Sequence, residues 1–398
     1  MKRFLVILLM VVPLLALGIG GCAPQPPEPP KPQVEPLKIG LLIPVTGPFA
    51  LWGQYFTQAF DIALDEINWE MGGRPVEWIV EDEGGFDTAL ALDKAKKLVE
   101  ADKVEIMVGP FFGGSHFSVL PYTSAIPMVD MIYTQTARKP EELKNKYAFW
   151  MSSGYFDTGV VTGHYMYDKL GYREVTTIAS DHTVLRDFLA GITDGFIERG
   201  GEVVQQMWPP PDEVDYTTYI PAMKMSDALV VSLIDPTATG LLFARYDEMG
   251  MFDKMPIVIK GGEIPPPLMP QWGDSIKGII GSQEFLYDLP YPETKVFVEA
   301  YFSKYDMLPD EKANNAYCTI KVLAAALEAT GGNTDPDVLR RTLLELEYDL
   351  TGGKFYFDEG RLAVEDRHVC QVQEVDGELK WVILETHPED KTHLETFP

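Results

Sequence analysis

The sequence predicts an α/β protein of two doubly wound lobes, each a parallel sheet with helices on both faces, and three observations carry that prediction. The folded part opens with a strand, a tight turn and an amphipathic helix. Strands and helices then alternate regularly, as right-handed βαβ units require. Near Thr158 the alternation starts afresh, which gives a second lobe of the same kind.

The opening unit is LKIGLLIPVTGPFALWGQ, Leu37 to Gln54. Lys38 to Pro44 is almost wholly apolar, with β-branched Ile39 and Ile43, and suits a strand buried on both faces. Thr46, Gly47 and Pro48 make the turn. From Gly53, apolar residues recur at Phe56, Phe60, Ala63, Leu64 and Ile67 along one helix face. In an open parallel sheet this turn lies at the carboxyl end of the strand, where ligands bind and a helix start offers N–H groups to an anion. Trp52 stands at that mouth.

A second strand follows at Pro75 to Glu81, then a helix at Thr88 to Glu100 with Ala91, Leu92, Ala95, Leu98 and Val99 on one side. Val104 to Val108 is a third strand ending in Gly109-Pro110, and a helical stretch from Gly114 leads to a fourth strand, Ile126 to Asp130. The second round has helices at Thr158 to Leu170, Leu185 to Arg199 and Thr239 to Met249, and strands at Val175 to Ala179, Glu202 to Met207, Ala228 to Ser232 and Pro256 to Ile259. Helices at Pro292 to Tyr305, Asn314 to Thr330 and Pro336 to Leu346 come next. A hairpin from His368 to Leu384 turns at Asp376-Gly377.

Ahead of the fold stands a leader. Met1-Lys2-Arg3 is a basic start, Phe4 to Ile19 an apolar run, and Ile19-Gly20-Gly21-Cys22 has the small residues of a bacterial lipobox. Residues 1–21 are therefore expected to be removed and Cys22 to become a lipidated N-terminus. Residues 22–36 are proline-rich, which favours an extended tether. The formal charge of −27 repels nucleic acid and anionic headgroups, so the membrane anchor is expected to be lipid rather than a basic patch. Besides Cys22 only Cys318 and Cys370 occur, each in an apolar run without metal-ligand spacing; two buried thiols are the expected state. The six histidines are scattered, and no nucleophile elbow or phosphate loop occurs, so neither an enzyme, a metal nor a cofactor is expected.

The opening stretch resembles the pattern KIGxxxPxTGPxAxxGQ of the branched-chain amino-acid-type solute-binding proteins of ABC importers, matching at Lys38, Ile39, Gly40, Pro44, Thr46, Gly47, Pro48, Ala50, Gly53 and Gln54. Glu81 to Pro110 is similar to the acidic segment of that family, Ala316 to Gly332 to its AYda helix, and Gly353 to Gly360 to its GxxxFDxxG run. The resemblance runs from about Leu37 to Leu384. It implies the type I periplasmic binding fold, whose chain crosses three times between two lobes with the ligand in the cleft. Lobe 1 is then residues 37–156 and 287–366, and lobe 2 residues 157–286 and 367–398.

What the resemblance implies for the site follows residue by residue. The family binds a ligand carboxylate with small and hydroxyl residues after the third strand, here Gly113, Gly114 and Ser115, of which only Ser115 keeps a hydroxyl. Ser115 is equally readable as a helix cap. After the fourth strand Thr134 or Thr136 supplies the expected hydroxyl, with Thr134 preferred, and Tyr133 is bulkier than the usual small residue. Glu263, in Lys260-Gly261-Gly262-Glu263, aligns with the glutamate that faces the ligand ammonium. Trp52 holds the place of an aromatic lining the side-chain pocket, and Tyr155 and Phe156 fall at the first crossover. Asp181 to Leu185 replaces a region where relatives often present a tyrosine, and Gly85 or Phe86 with Phe112 stand where some relatives carry a disulfide. The implied function is an extracytoplasmic, lipid-anchored, monomeric subunit that captures a small amino acid or related solute and delivers it to an ABC permease and its ATPase. A lipid-anchored sensor, or a binder of amides, urea or small aromatic acids, is the alternative.

Overall fold

The computed structural model describes residues 34–133, 144–152 and 154–388. The leader, Cys22 and Thr134 lie outside these residues.

A first sheet is built from β1 (Leu37–Ile43), β2 (Glu70–Met71), β3 (Arg74–Asp82), β4 (Ile106–Val108), β5 (Val129–Ile132) and β6 (Ala148–Trp150), in the order β2-β3-β1-β4-β5-β6, with β4, β5 and β6 buried and β2 and β3 partly exposed at the edge. Only the short β2 pairs antiparallel. Its helices are α1 (Ala50–Glu66), α2 (Thr88–Lys96) and α3 (Gly113–Ala125). Asp87 starts α2 by accepting from the N–H groups of Ala89 and Leu90. Gly53 is dictated by contact: a Cβ there would fall 1.7 Å from the Pro44 carbonyl oxygen, so α1 packs against the end of β1 only without a side chain.

The chain crosses into a second sheet through α4 (Tyr155–Asp168), continuing as β7 (Glu174–Ala179), α5 (Thr183–Glu198), β8 (Glu202–Met207), β9 (Ala228–Ser232), α6 (Pro236–Glu248), β10 (Ile257–Lys260), α7 (Met269–Trp272) and β11 (Ile280–Gln283). It crosses back for α8 (Pro292–Tyr305), α9 (Glu311–Thr330), α10 (Pro336–Glu345) and a small antiparallel sheet of β12 (Tyr348–Leu350), β13 (Gly353–Phe357) and β14 (Ala363–Val364). Helices α8 and α9 pack on α1, and α10 on β5. A third crossing delivers β15 (Arg367–Val375) and β16 (Glu378–His387) to the second sheet, whose order is β16-β15-β11-β10-β9-β7-β8, the last five strands parallel. Helices α4 and α5 pack through glycine: a Cβ at Gly159, Gly163, Gly191 or Gly195 would lie 2.0 to 2.6 Å from a backbone carbonyl of the facing helix.

The expected alternation, the two parallel sheets and the terminal hairpin are all present. Strands β2, β6, β11 and β12 to β14 were not anticipated. Ala148–Trp150 is too short to show a period, and Ile280-Gly281-Ser282-Gln283 buries polar residues where a core strand should read apolar. The fourth strand sits a few residues later than expected because α3 runs on to Ala125. Cys318 and Cys370 are free buried thiols.

Candidate ligand-binding cleft

Strand order locates the site before any side chain is considered. In the first sheet β1 lies between β3 and β4, and in the second β7 lies between β8 and β9. At such a switch point successive crossovers leave on opposite faces and open a crevice at the carboxyl ends of the strands. Loops from both switch points line one open cleft, with about 610 Å³ of space between its walls when open solvent is included. The first sheet contributes Trp52, Phe111, Phe112 and Gly113. The second contributes His182, Leu185, Phe188, Leu233, Ile234, Lys260, Gly262 and Glu263, and the first turn of α9 adds Lys312.

One wall is aromatic, made by Trp52, Phe111 and Phe112, with Phe49 and Phe86 packed against it from outside the cavity. Trp52 stacks on Phe49 at 5.1 Å between centroids and meets Phe111 at 5.3 Å. Phe49 contacts Phe112 at 4.8 Å, and Phe86 meets both Phe49 and Phe112 at 5.1 Å. Phe86 and Phe112 thus pack edge to face on one another. Across the cleft Phe86 reaches the His182 ring at 5.2 Å. Such offset and edge contacts leave an apolar slot suited to a flat ligand body.

The opposite end is charged. Lys260 Nζ pairs with Glu311 Oε1 at 2.9 Å, the two side chains being 9% and 4% exposed. Lys312 Nζ lies 5.3 Å from the Trp52 ring centroid, and among the described residues its ammonium makes no hydrogen bond or ion pair. A Cβ at Gly262 would be 3.1 Å from Lys260 Nζ, 3.4 Å from Glu311 Oε2 and 3.4 Å from Lys312 Nζ, so these charges converge on one bare stretch of backbone. Burial works to raise the Glu311 carboxyl, but Lys260 and Lys312 outweigh it and hold the group low. Glu263 is buried; Oε1 accepts from Ser232 Oγ at 3.2 Å and Oε2 from the Leu233 N–H at 3.0 Å. Burial pushes its carboxyl up to about 8 against the pull of the Leu233 N–H, Lys260, Ser232 and Lys312.

A second buried glutamate governs the other side. Glu83 accepts from the Phe111 N–H at 2.7 Å and the Phe112 N–H at 2.9 Å, and burial pushes it too up to about 8. The backbone donors that follow β4 are therefore satisfied by the chain's own carboxyl. Ser115 is fully buried, and its hydroxyl faces Glu83 without closing a well-formed hydrogen bond.

Of the residues singled out in the sequence, Trp52, Gly113 and Glu263 come together on this cavity. Ser115 and Tyr133 do not line it. Ser115 sits behind Phe111 and Phe112 with Glu83, and Tyr133 is buried against Phe56, 4.1 Å between centroids, with Phe60 beyond. Tyr133 therefore fills core rather than narrowing the cleft. Tyr155 opens α4, and its side chain, like the whole of Thr134, lies outside the described part. Sequence reasoning gave no role to Lys260, Lys312 or His182. A lysine closing the apolar strand Ile257–Ile259 was a usable signal for Lys260. Lys312, after the Asp310 cap, reads as an ordinary solvated helix start.

Two parallel sheets, joined by three crossings and sharing one cleft at their switch points, define a two-lobed ligand-binding protein. The family described as periplasmic binding protein matches residues 36–378, and the chain belongs to that family. A Leu/Ile/Val-binding protein homolog 6 of Brucella suis is 26% identical over 343 residues, covering 84% of this chain and 85% of its own. A solute-binding protein of an ABC transporter from Rhodopseudomonas palustris BisB5, solved with 3,4-dihydroxybenzoic acid, superposes with a TM-score of 0.83 at 23% identity, over 90% of this chain and 99% of that one. A leucine-binding protein of Thermotoga maritima gives a TM-score of 0.77 at 19% identity, covering 88% and 99%. The chain accordingly shares the two-lobed fold of these solute-binding proteins. Among the described residues no helix is long and apolar enough to cross a membrane.

Proposed function

We propose that this protein captures a small carboxylate with a flat apolar body and presents it to an ABC permease, lobe 1 being residues 37–156 with 287–366 and lobe 2 residues 157–286 with 367–398. One observation carries the reading: the Lys312 ammonium, without an ion-pair partner among the described residues, stands over Trp52 at the end of an aromatic slot. A buried ammonium is costly unless a counter-charge reaches it, and an incoming carboxylate supplies one while its ring lies against Trp52, Phe111 and Phe112. Glu263 does not compete for Lys312, since its oxygens already serve Ser232 and Leu233 and its carboxyl is held largely neutral below about pH 8. The aromatic acid bound by the Rhodopseudomonas palustris protein has this shape and charge. Binding favours a closed cleft, the form a permease recognises. Lipidation at Cys22 and a place on the outer face of the membrane belong to the same reading.

A zwitterionic amino acid is the second reading, favoured by Glu263 on the cavity wall. The test is a thermal-shift and calorimetric panel of benzoate, 3,4-dihydroxybenzoate, leucine and urea on the full-length chain after refolding to strip copurified ligand. A melting temperature that rises with aromatic acid and no longer does so in Lys312→Met supports the carboxylate reading. Binding of leucine alone, lost in Glu263→Gln, replaces it with the amino-acid reading.

A further inference from the structure

Polar groups in this cavity are segregated. Lys260, Lys312, Glu263 and Glu311 gather around Gly262. His182 lines the same cavity apart from that cluster: its ring meets Phe86, whereas Lys312 lies over Trp52. Neither nitrogen of His182 has a hydrogen-bond partner among the described residues, and Nδ1 is covered from solvent. Its backbone N–H is already committed to the Ser180 carbonyl, and the neighbouring Asp181 is paired with Arg186, so neither claims the ring.

The covered Nδ1 is closed to the cavity, so the nitrogen a bound molecule can reach is Nε2, and a polar atom without a partner on a cavity wall is a place where a ligand can supply one. Resting on the carboxylate reading above, we propose that His182 is the specificity-determining residue that hydrogen-bonds a hydroxyl at the end of the aromatic ring remote from the carboxylate. The ligand class narrows from aromatic acids in general to hydroxy-substituted ones. Burial holds the His182 ring below its ordinary range, against the pull of Asp181, so the imidazole is neutral and offers one donor and one acceptor. A phenol is matched by either. A second charge on the ligand is not, because a neutral ring provides no counter-ion. Phe86, approaching from the loop after β3, covers the same corner and shields that hydrogen bond from water.

The experiment compares 4-hydroxybenzoate with benzoate by calorimetry on the full-length chain, in wild type, His182→Phe and His182→Asn. A site built to pair a hydroxyl discriminates against the analogue lacking it, so wild type is expected to bind 4-hydroxybenzoate at least about tenfold tighter than benzoate. His182→Phe should erase that difference, read as the ratio of the two affinities within the same variant, and His182→Asn, which keeps a donor and an acceptor, should restore part of it. Equal weakening of both acids, or an undiminished preference in His182→Phe, overturns the assignment while sparing the carboxylate reading. Failure of wild type to bind either acid overturns the carboxylate reading and this inference with it. Because benzoate is measured in every variant, a folding defect shows as loss of both ligands and cannot pass for lost discrimination.

Discussion

Glu83 and Glu263 are the same residue type in matching positions, each just past a strand of its sheet, buried, accepting a backbone N–H and pushed up to about 8. They do opposite jobs. Glu83 turns its carboxyl away from the cavity, onto the Phe111 and Phe112 N–H groups, and fixes the loop that carries two of the cavity's aromatic walls. Glu263 lines the cavity itself. A buried, shifted carboxyl is therefore no sign of a ligand contact; what its neighbours leave open to the cleft decides the role.

The sharpest way to break the comparison is to neutralise each in turn. Glu83→Gln puts an NH₂ against one of two backbone N–H donors, and should lower stability by about 3 kcal/mol in urea unfolding. Glu263→Gln should cost far less, because its amide can donate to Ser232 while the oxygen keeps the Leu233 N–H. Equal losses would mean that the two sites are mechanically alike. Next in size, Lys312→Met should weaken benzoate binding by about thirtyfold, roughly 2 kcal/mol, with little change in melting temperature.

The shared shift gives a pH test. Both groups keep in the native state a proton that the unfolded chain releases above its ordinary 4.5. Their stabilisation is thus complete below about pH 4.5 and lost as pH rises through about 8. Melting temperature of the ligand-free protein should fall between pH 5 and 9, and less steeply in either Gln variant. An anionic ligand prefers Glu263 protonated, so its affinity should fall by up to about tenfold as pH rises through 8, and stay flat in Glu263→Gln. Ser115→Ala should be the mildest change. Its hydroxyl does not line the cavity, and affinity should stay within about twofold; a larger loss would return Ser115 to the site.

Local pattern made much of this legible. β8, Glu202–Met207, and β9, Ala228–Ser232, fall where apolar residues and turns placed them, and Trp52 and Glu263 were reachable because one lies in the first turn of the helix after β1 and the other in the turn after β10. The rest depended on distance in sequence. Lys260 meets Glu311 across 51 residues, and Phe111 meets Glu83 across 28. No periodicity reports such pairings. Ser115 misled for a related reason: its spacing from β4 fits an anion site, but Glu83 reaches the loop first.

The backbone contact between α4 and α5 has its own consequence. With glycine on both sides there is no compressible side-chain layer between the two helices, and close-packed interiors transmit strain rather than absorb it. Both helices start at the same end of this strut: α4 begins there at the first crossing between the sheets, and the first turns of α5 carry Leu185 and Phe188 into the cavity wall. A solute pressing on Phe188 therefore pushes against a stiff beam anchored at the pivot, and a displacement made at the wall arrives at the crossing with little slack.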